Sequence, residues 1–110
     1  MLFMKQNILF VCSRNQWRSP TAQKIYQKDE RLNVRSGGTS SKAVHTVNIK
    51  DITWAETIFV MEYKHKERLK ANFTRLLVYK KIIVLDIPDE YQYMDEELIE
   101  VLRGSIEVYL

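Results

Sequence analysis

The sequence predicts a three-layer α/β/α fold, an open four-stranded parallel sheet flanked by helices on both faces, and three observations predict it. Short apolar runs at residues 6–11, 32–35, 57–61 and 81–85 have the length and composition of strands, and a helical pattern follows each of them. The first and last runs, QNILFV and KIIVL, are apolar at successive positions instead of alternating ones, which suits strands covered on both faces. The resulting order is βαβαβαβα, and right-handed crossovers then favour a parallel sheet of the Rossmann-like kind.

Each element has its own signal. Residues 6–11 are too few and too apolar for an amphipathic helix. A polar turn follows, and Ser19 is predicted to cap a helix with Pro20 at its first position, leading into TAQKIYQKDE with Ala22, Ile25 and Tyr26 on one side. Residues 32–35 run into Ser36, Gly37, Gly38 and Thr39, read locally as an ordinary turn whose paired glycines permit close approach of another group. Asn48 caps a short helix, IKDITWA, before the β-rich run at 57–61. Residues 63–73, YKHKERLKANF, are helical and mostly polar, with Leu69 and Phe73 inward. After the fourth strand, Asp95 caps a helix with Glu96 and Glu97 in its first turn and Leu98, Val101, Leu102, Ile106 and Tyr109 at helical spacing.

The chain's 110 residues, 45% of them hydrophobic, suit one domain, 1–110, with no linker, internal repeat or low-complexity segment. No apolar run approaches the roughly 18 residues of a membrane span, and the start MLFMKQNILF lacks the order of a secretory signal. The one cysteine cannot form an internal disulfide, so the cytoplasm is the expected compartment. Residues 1–85 carry 16 Lys/Arg against 6 Asp/Glu, whereas 86–110 carry Arg103 against 8 acids. The cations are scattered, with no run of five or more, which argues against a nucleic-acid binder and for a solvated basic body with an acidic last helix.

Cys12 carries the chemistry. It lies just beyond the first strand, at the sheet edge where open parallel sheets bind ligands, and the turn after it feeds a helix N-terminus whose free N–H groups attract anions. The same field, with Arg18 or Arg14 and the Ser19 hydroxyl close in sequence, favours a negatively charged sulfur. A lone cysteine after a buried strand is more often a small core residue, and the surrounding loop makes the difference here.

Cys12-Ser13-Arg14-Asn15-Gln16-Trp17-Arg18-Ser19 matches the C-x5-R-S phosphate loop of protein tyrosine phosphatases, and its setting resembles the low-molecular-weight class. Asn15 falls where that class has a loop-stabilising asparagine. Residues 36–39 are similar to its S-A-G-T segment, residues 54–62 resemble its third-strand pattern ending in Met and an acid, and residues 86–91 resemble its Asp-Pro-Tyr loop, which supplies the proton donor. The class usually has a longer connection before the third strand than the 15 residues 40–54 here, so a helix and some pocket wall are expected to be missing.

The resemblance implies a phosphomonoester hydrolase acting on phosphotyrosine, with Cys12 as nucleophile and Arg18 and the loop N–H groups on the phosphate. An aspartate from 86–89 would be the proton donor, and no cofactor or metal is required. Asp86, held at the end of a buried strand, is the first choice of donor, with Asp89 as the alternative. Ser13, Asn15, Gln16, Trp17 and Ser19 are expected around the phosphate. Arg14 is read as a phosphate contact or as a solvated cation, and Trp17 as packing beneath the loop or as a pocket wall. Tyr91 and Tyr93 rim the cleft or pack on the last helix, and His45 and His65 are expected to face solvent. The expected partners are a phosphorylated protein, peptide or small phosphate ester and a phosphate or sulfate anion in the loop, with no nucleic acid and no membrane. Two other classes stay open, an arsenate reductase relying on an external thiol and a phosphate-binding module without turnover.

Overall fold

The computed structural model describes residues 4–110; residues 1–3 of the start that was tested for a secretory signal lie outside the described residues. Strands β1 (Gln6–Cys12), β2 (Leu32–Gly38), β3 (Thr57–Val60) and β4 (Lys81–Val84) form a parallel sheet in the order β2-β1-β3-β4. Between and after them come α1 (Arg18–Tyr26), α2 (Ile49–Trp54), α3 (Tyr63–Phe73) and α4 (Glu96–Ile106). Two 3-10 turns, Thr74–Leu77 and Glu107–Tyr109, end α3 and α4. The predicted fold class and element order are those observed.

β1 lies inside the sheet and is buried from Ile8 to Cys12, which explains its unbroken apolar run. Alternate side chains serve two cores. Ile8, Phe10 and Cys12 pack with Ala22 and Tyr26 of α1 and Leu98, Leu102 and Ile106 of α4. Leu9 and Val11 pack on the other face with Ile52 of α2 and Leu69 of α3. The chain leaves β1 toward β2 on one side and continues to β3 on the other, so a crevice opens beyond the carboxyl ends of β1 and β3. Cys12, the last residue of β1, stands at that crevice opposite Gly38.

Several element ends shift from the sequence reading, and two of the shifts serve the crevice. α1 begins at Arg18 with Trp17 at its N-cap and no side-chain cap, so Ser19 lies inside the helix and Pro20 at its third position. The Ser19 hydroxyl is engaged with the loop behind it, where its partners compete successfully with capping. β2 extends to Gly38 instead of turning after Arg35, because Ser36, Gly37 and Gly38 pair with Phe10, Val11 and Cys12. Asn48 and Asp95 cap their helices as expected: the Asn48 side chain accepts from Asp51 N at 3.0 Å, and Asp95 from Glu97 N at 2.8 Å.

Candidate active site

The loop from Cys12 to Ser19 is held from beneath. Cys12 Sγ, 3% exposed, receives the Asn15 backbone N–H at 3.3 Å and lies 3.0 Å from Ser19 Oγ. Asn15 adopts φ 54°, in the left-handed region that asparagine tolerates better than most residues. Its buried amide donates to Ser19 Oγ at 2.9 Å and Ser36 Oγ at 3.0 Å. Thr39 N donates to Cys12 O at 2.9 Å and Ser40 N to Ser13 O at 3.0 Å. A Cβ on Gly38 would fall 2.5 Å from Ser13 O, so glycine is what lets β2 approach this closely. Residues 36–39 therefore support the Cys12–Ser19 loop, beyond the ordinary turn their pattern suggests. Among the described residues, the N–H groups of Arg14, Gln16, Trp17 and Arg18 have no protein acceptor, which leaves a ring of donors at the start of α1.

Arg18 is 2% exposed, and its Nη1 donates to Glu62 Oε1 at 3.0 Å and to Ile87 O at 2.7 Å. Glu62 follows Met61 just beyond β3. Burial alone would raise its carboxyl pKa, but a hydrogen bond from Lys64 and the charge of Arg18 outweigh that and hold it below the usual range. Beyond β4 the backbone of Asp86 takes φ 58°, which turns the chain so that Ile87 drops into the core and its carbonyl reaches Arg18. Two residues on, Asp89 Oδ1 stands 3.6 Å from Arg18 Nε with its side chain 52% exposed.

These groups form a small open cup lined by Cys12, Ser13, Arg14, Gln16, Trp17, Arg18 and Asp89. Arg14 and Trp17 are exposed on its wall, Trp17 at 41%, instead of packed under the loop. Asn15 and Ser19 lie beneath the cup as its support. Asp86, the first choice from sequence, is exposed outside the lining, whereas Asp89 is on it. The lining takes nothing from 40–54, where the connection was expected to be short. A shallower groove outside shares Gln16 and Trp17 with the cup and adds Val44 and Tyr93. Tyr91 is half-buried against the core that includes α4.

The sequence reading erred on one histidine. His45 is exposed and bonds Asp51 Oδ2 at 2.8 Å, but His65 is 1% exposed and sits behind the Cys12–Ser19 loop. Its Nδ1 accepts the Glu62 N–H at 3.0 Å, and its Nε2 lies 2.8 Å from Ser13 Oγ. Burial, reinforced by Arg18, lowers its pKa to about 4. Flanking lysines hide this residue from any average of polarity. The available signal was position: His65 is third in α3, where a side-chain acceptor reaches back to the N-cap amide. Glu62, quoted only as part of a strand pattern, is likewise a direct partner of Arg18.

The chain has the fold of the low-molecular-weight protein tyrosine phosphatases. It is similar to SP-PTP of that class from Streptococcus pyogenes, with a TM-score of 0.77 and 20% identity over 96% of this chain and 91% of that one. Vibrio vulnificus Wzb in complex with benzylphosphonate gives 0.77 and 19% over 96% and 97% of the two chains. YwlE arginine phosphatase from Geobacillus stearothermophilus gives 0.63 and 22% over 91% and 82%. No protein-family model and no curated protein sequence matches the chain.

Proposed function

We propose that residues 1–110 act as one catalytic unit, a cysteine-dependent phosphomonoester hydrolase whose first substrate class is phosphotyrosine in proteins or peptides. The observation that carries the reading is Cys12 Sγ at the base of a cup that presents unpaired N–H donors, the Arg18 guanidinium and the Asp89 carboxyl together. A dianionic phosphoryl group fits the donor ring, and Arg18 is held by Glu62 and Ile87 in a fixed orientation to meet its oxygens. The Cys12 thiolate attacks phosphorus, an S–P bond forms, and the P–O ester bond breaks as the Asp89 carboxyl protonates the leaving oxygen. Water then attacks the phosphocysteine, Asp89 takes its proton, the S–P bond breaks, and inorganic phosphate leaves with the thiolate restored.

Asp89 is preferred to Asp86 as donor because it lines the cup and Asp86 does not. The phosphatases among the structural neighbours and the benzylphosphonate complex of Wzb support an aromatic phosphate ester as ligand. A nucleophilic thiolate works only where it stays reduced, which favours the cytoplasm. Among the described residues, no helix is long and apolar enough to cross a membrane.

The deciding experiment is steady hydrolysis of para-nitrophenyl phosphate by the wild type beside Cys12→Ser, followed by phosphotyrosine, phosphoserine and phosphoarginine peptides. Cys12→Ser should keep phosphate binding and lose turnover. Retention of more than a few per cent of the wild-type rate removes the nucleophile assignment. Phosphate binding without turnover in the wild type selects the binding module, and arsenate-dependent oxidation of an added thiol selects the reductase.

A further inference from the structure

We infer that Ser13 is a side-chain donor to the bound phosphate ester and that His65 is the positioning residue that makes it one. The inference rests on the phosphatase reading for its ligand, but its geometry stands on its own. The Glu62 backbone N–H can only donate, so His65 Nδ1, 3.0 Å away, must be the acceptor. A neutral imidazole then carries its proton on Nε2, and that proton faces Ser13 Oγ at 2.8 Å. Ser13 Oγ is thereby an acceptor from His65, and its own hydrogen has to find a different partner. Among the described residues no second protein partner exists for that hydroxyl, and Ser13 lines the cup that Cys12 floors. The free hydrogen is thus available to an oxygen of the group in the cup.

Burial of His65 keeps the arrangement fixed. Its pKa near 4, lowered by burial and then by Arg18, leaves the ring neutral with one tautomer throughout the neutral range. Glu62, Lys64 and Asp89 also act on the ring. The backbone amide that sets the tautomer belongs to Glu62, whose carboxylate holds Arg18, so one residue orients two donors aimed at the same ligand.

The test measures binding of inorganic phosphate by calorimetry, which does not depend on turnover, alongside kcat/KM for para-nitrophenyl phosphate. Ser13→Ala should weaken phosphate binding roughly tenfold, the size of one hydrogen bond to a charged acceptor. His65→Leu should cost about the same, and His65→Gln, which keeps an N–H donor, should recover most of the loss. The double variant Ser13→Ala/His65→Leu should bind no worse than Ser13→Ala alone, because both remove one contact. Should His65→Leu be too unstable to purify, the Ser13→Ala and His65→Gln arms still decide the matter. Wild-type phosphate affinity in Ser13→Ala overturns the donor. Losses that multiply in the double variant, or a His65→Gln as weak as His65→Leu, overturn the positioning role. A wild type that binds phosphate, loses it as described and turns over no ester overturns the enzyme reading while leaving this inference standing. A wild type that binds no phosphate overturns both.

Discussion

The two loops that make the cup are built in opposite ways. The loop after β1 has Asn15, Arg18 and Ser19 buried and hydrogen-bonded, with its backbone tied to residues 39, 40 and 44. The loop after β4 is attached by the Ile87 side chain, by the Ile87 backbone bonds to Met61 and Arg18, and by Met94 N donating to Thr21 Oγ1 at 2.9 Å. Between those anchors Asp89 is half exposed. The difference follows from the chemistry each loop is proposed to perform. Donors to a developing phosphoryl charge work best when already aimed, because reorienting them during reaction costs energy. A proton donor has to meet leaving groups of different size and give way to water in the second step.

Removing the rigid side's cation should therefore have the largest effect. Arg18→Lys replaces a planar fork with a point donor and breaks the paired bonds to Glu62 and Ile87. A loss of transition-state stabilisation of about 4 kcal/mol is expected, read as kcat/KM. Near-normal kinetics in Arg18→Lys would hand the phosphate to Arg14 and dissolve the contrast between the loops.

Asp89→Asn tests the looser side and should cost about a hundredfold for basic leaving groups and much less for good ones. A poor leaving oxygen needs its proton in the transition state, whereas a nitrophenolate does not. Rates across a series of aryl phosphates should fall more steeply with leaving-group pKa than in the wild type. A slope parallel to wild type removes Asp89 as the donor.

How far the sequence spoke for the site depended on how local the chemistry is. Cys12, Asn15, Arg18 and Ser19 lie within eight residues of each other, between a strand and a helix that both have strong patterns, so the loop was readable. Glu62, His65 and Ile87 meet that loop across 44, 52 and 69 residues of chain. No residue-level pattern carries such pairings. Ile87 anchors the loop after β4, with its side chain in the core and its carbonyl on Arg18. Asp86 turns the chain with φ 58°, and Asp89 comes to stand beside Arg18 while Asp86 stays outside the cup; a local reading has no means to set that angle.

Acid should act on the rigid side through His65. The native ring, with a pKa near 4, stays neutral where an unfolded histidine, near 6.5, already binds a proton. The unfolded state then binds more protons between these values, so stability falls as pH drops from about 6.5 to about 4 and that contribution levels off below. The shift corresponds to about 3 kcal/mol at most. Glu62 adds a further loss as pH falls below the usual carboxylate value of 4.5, because its native pKa is lower still. Denaturant midpoints measured from pH 7 to 4 should show this decline in the wild type and a flatter one in His65→Gln. An equal decline in both would place the acid sensitivity elsewhere.

The smallest effect is expected at Asp86, and it separates the backbone of the donor loop from its carboxylate. Asp86 is exposed and lies outside the cup, so its charge has no reacting atom to serve. Its backbone, at φ 58°, is what directs Ile87 into the core and sets Asp89 over Arg18. Asparagine tolerates the left-handed region about as well as aspartate, so Asp86→Asn should leave both stability and the leaving-group slope close to wild type. Alanine does not, and Asp86→Ala should lose about 1 kcal/mol in stability with a modest fall in rate on basic leaving groups as Asp89 loses its placement. Glycine adopts positive φ freely, so Asp86→Gly should retain the rate that Asp86→Ala loses. The order Asn ≈ Gly > Ala is what a backbone role requires. If Asp86→Asn instead steepens the leaving-group dependence while Asp89→Asn does not, the carboxylate at 86 is the donor and the looser loop must swing it into the cup.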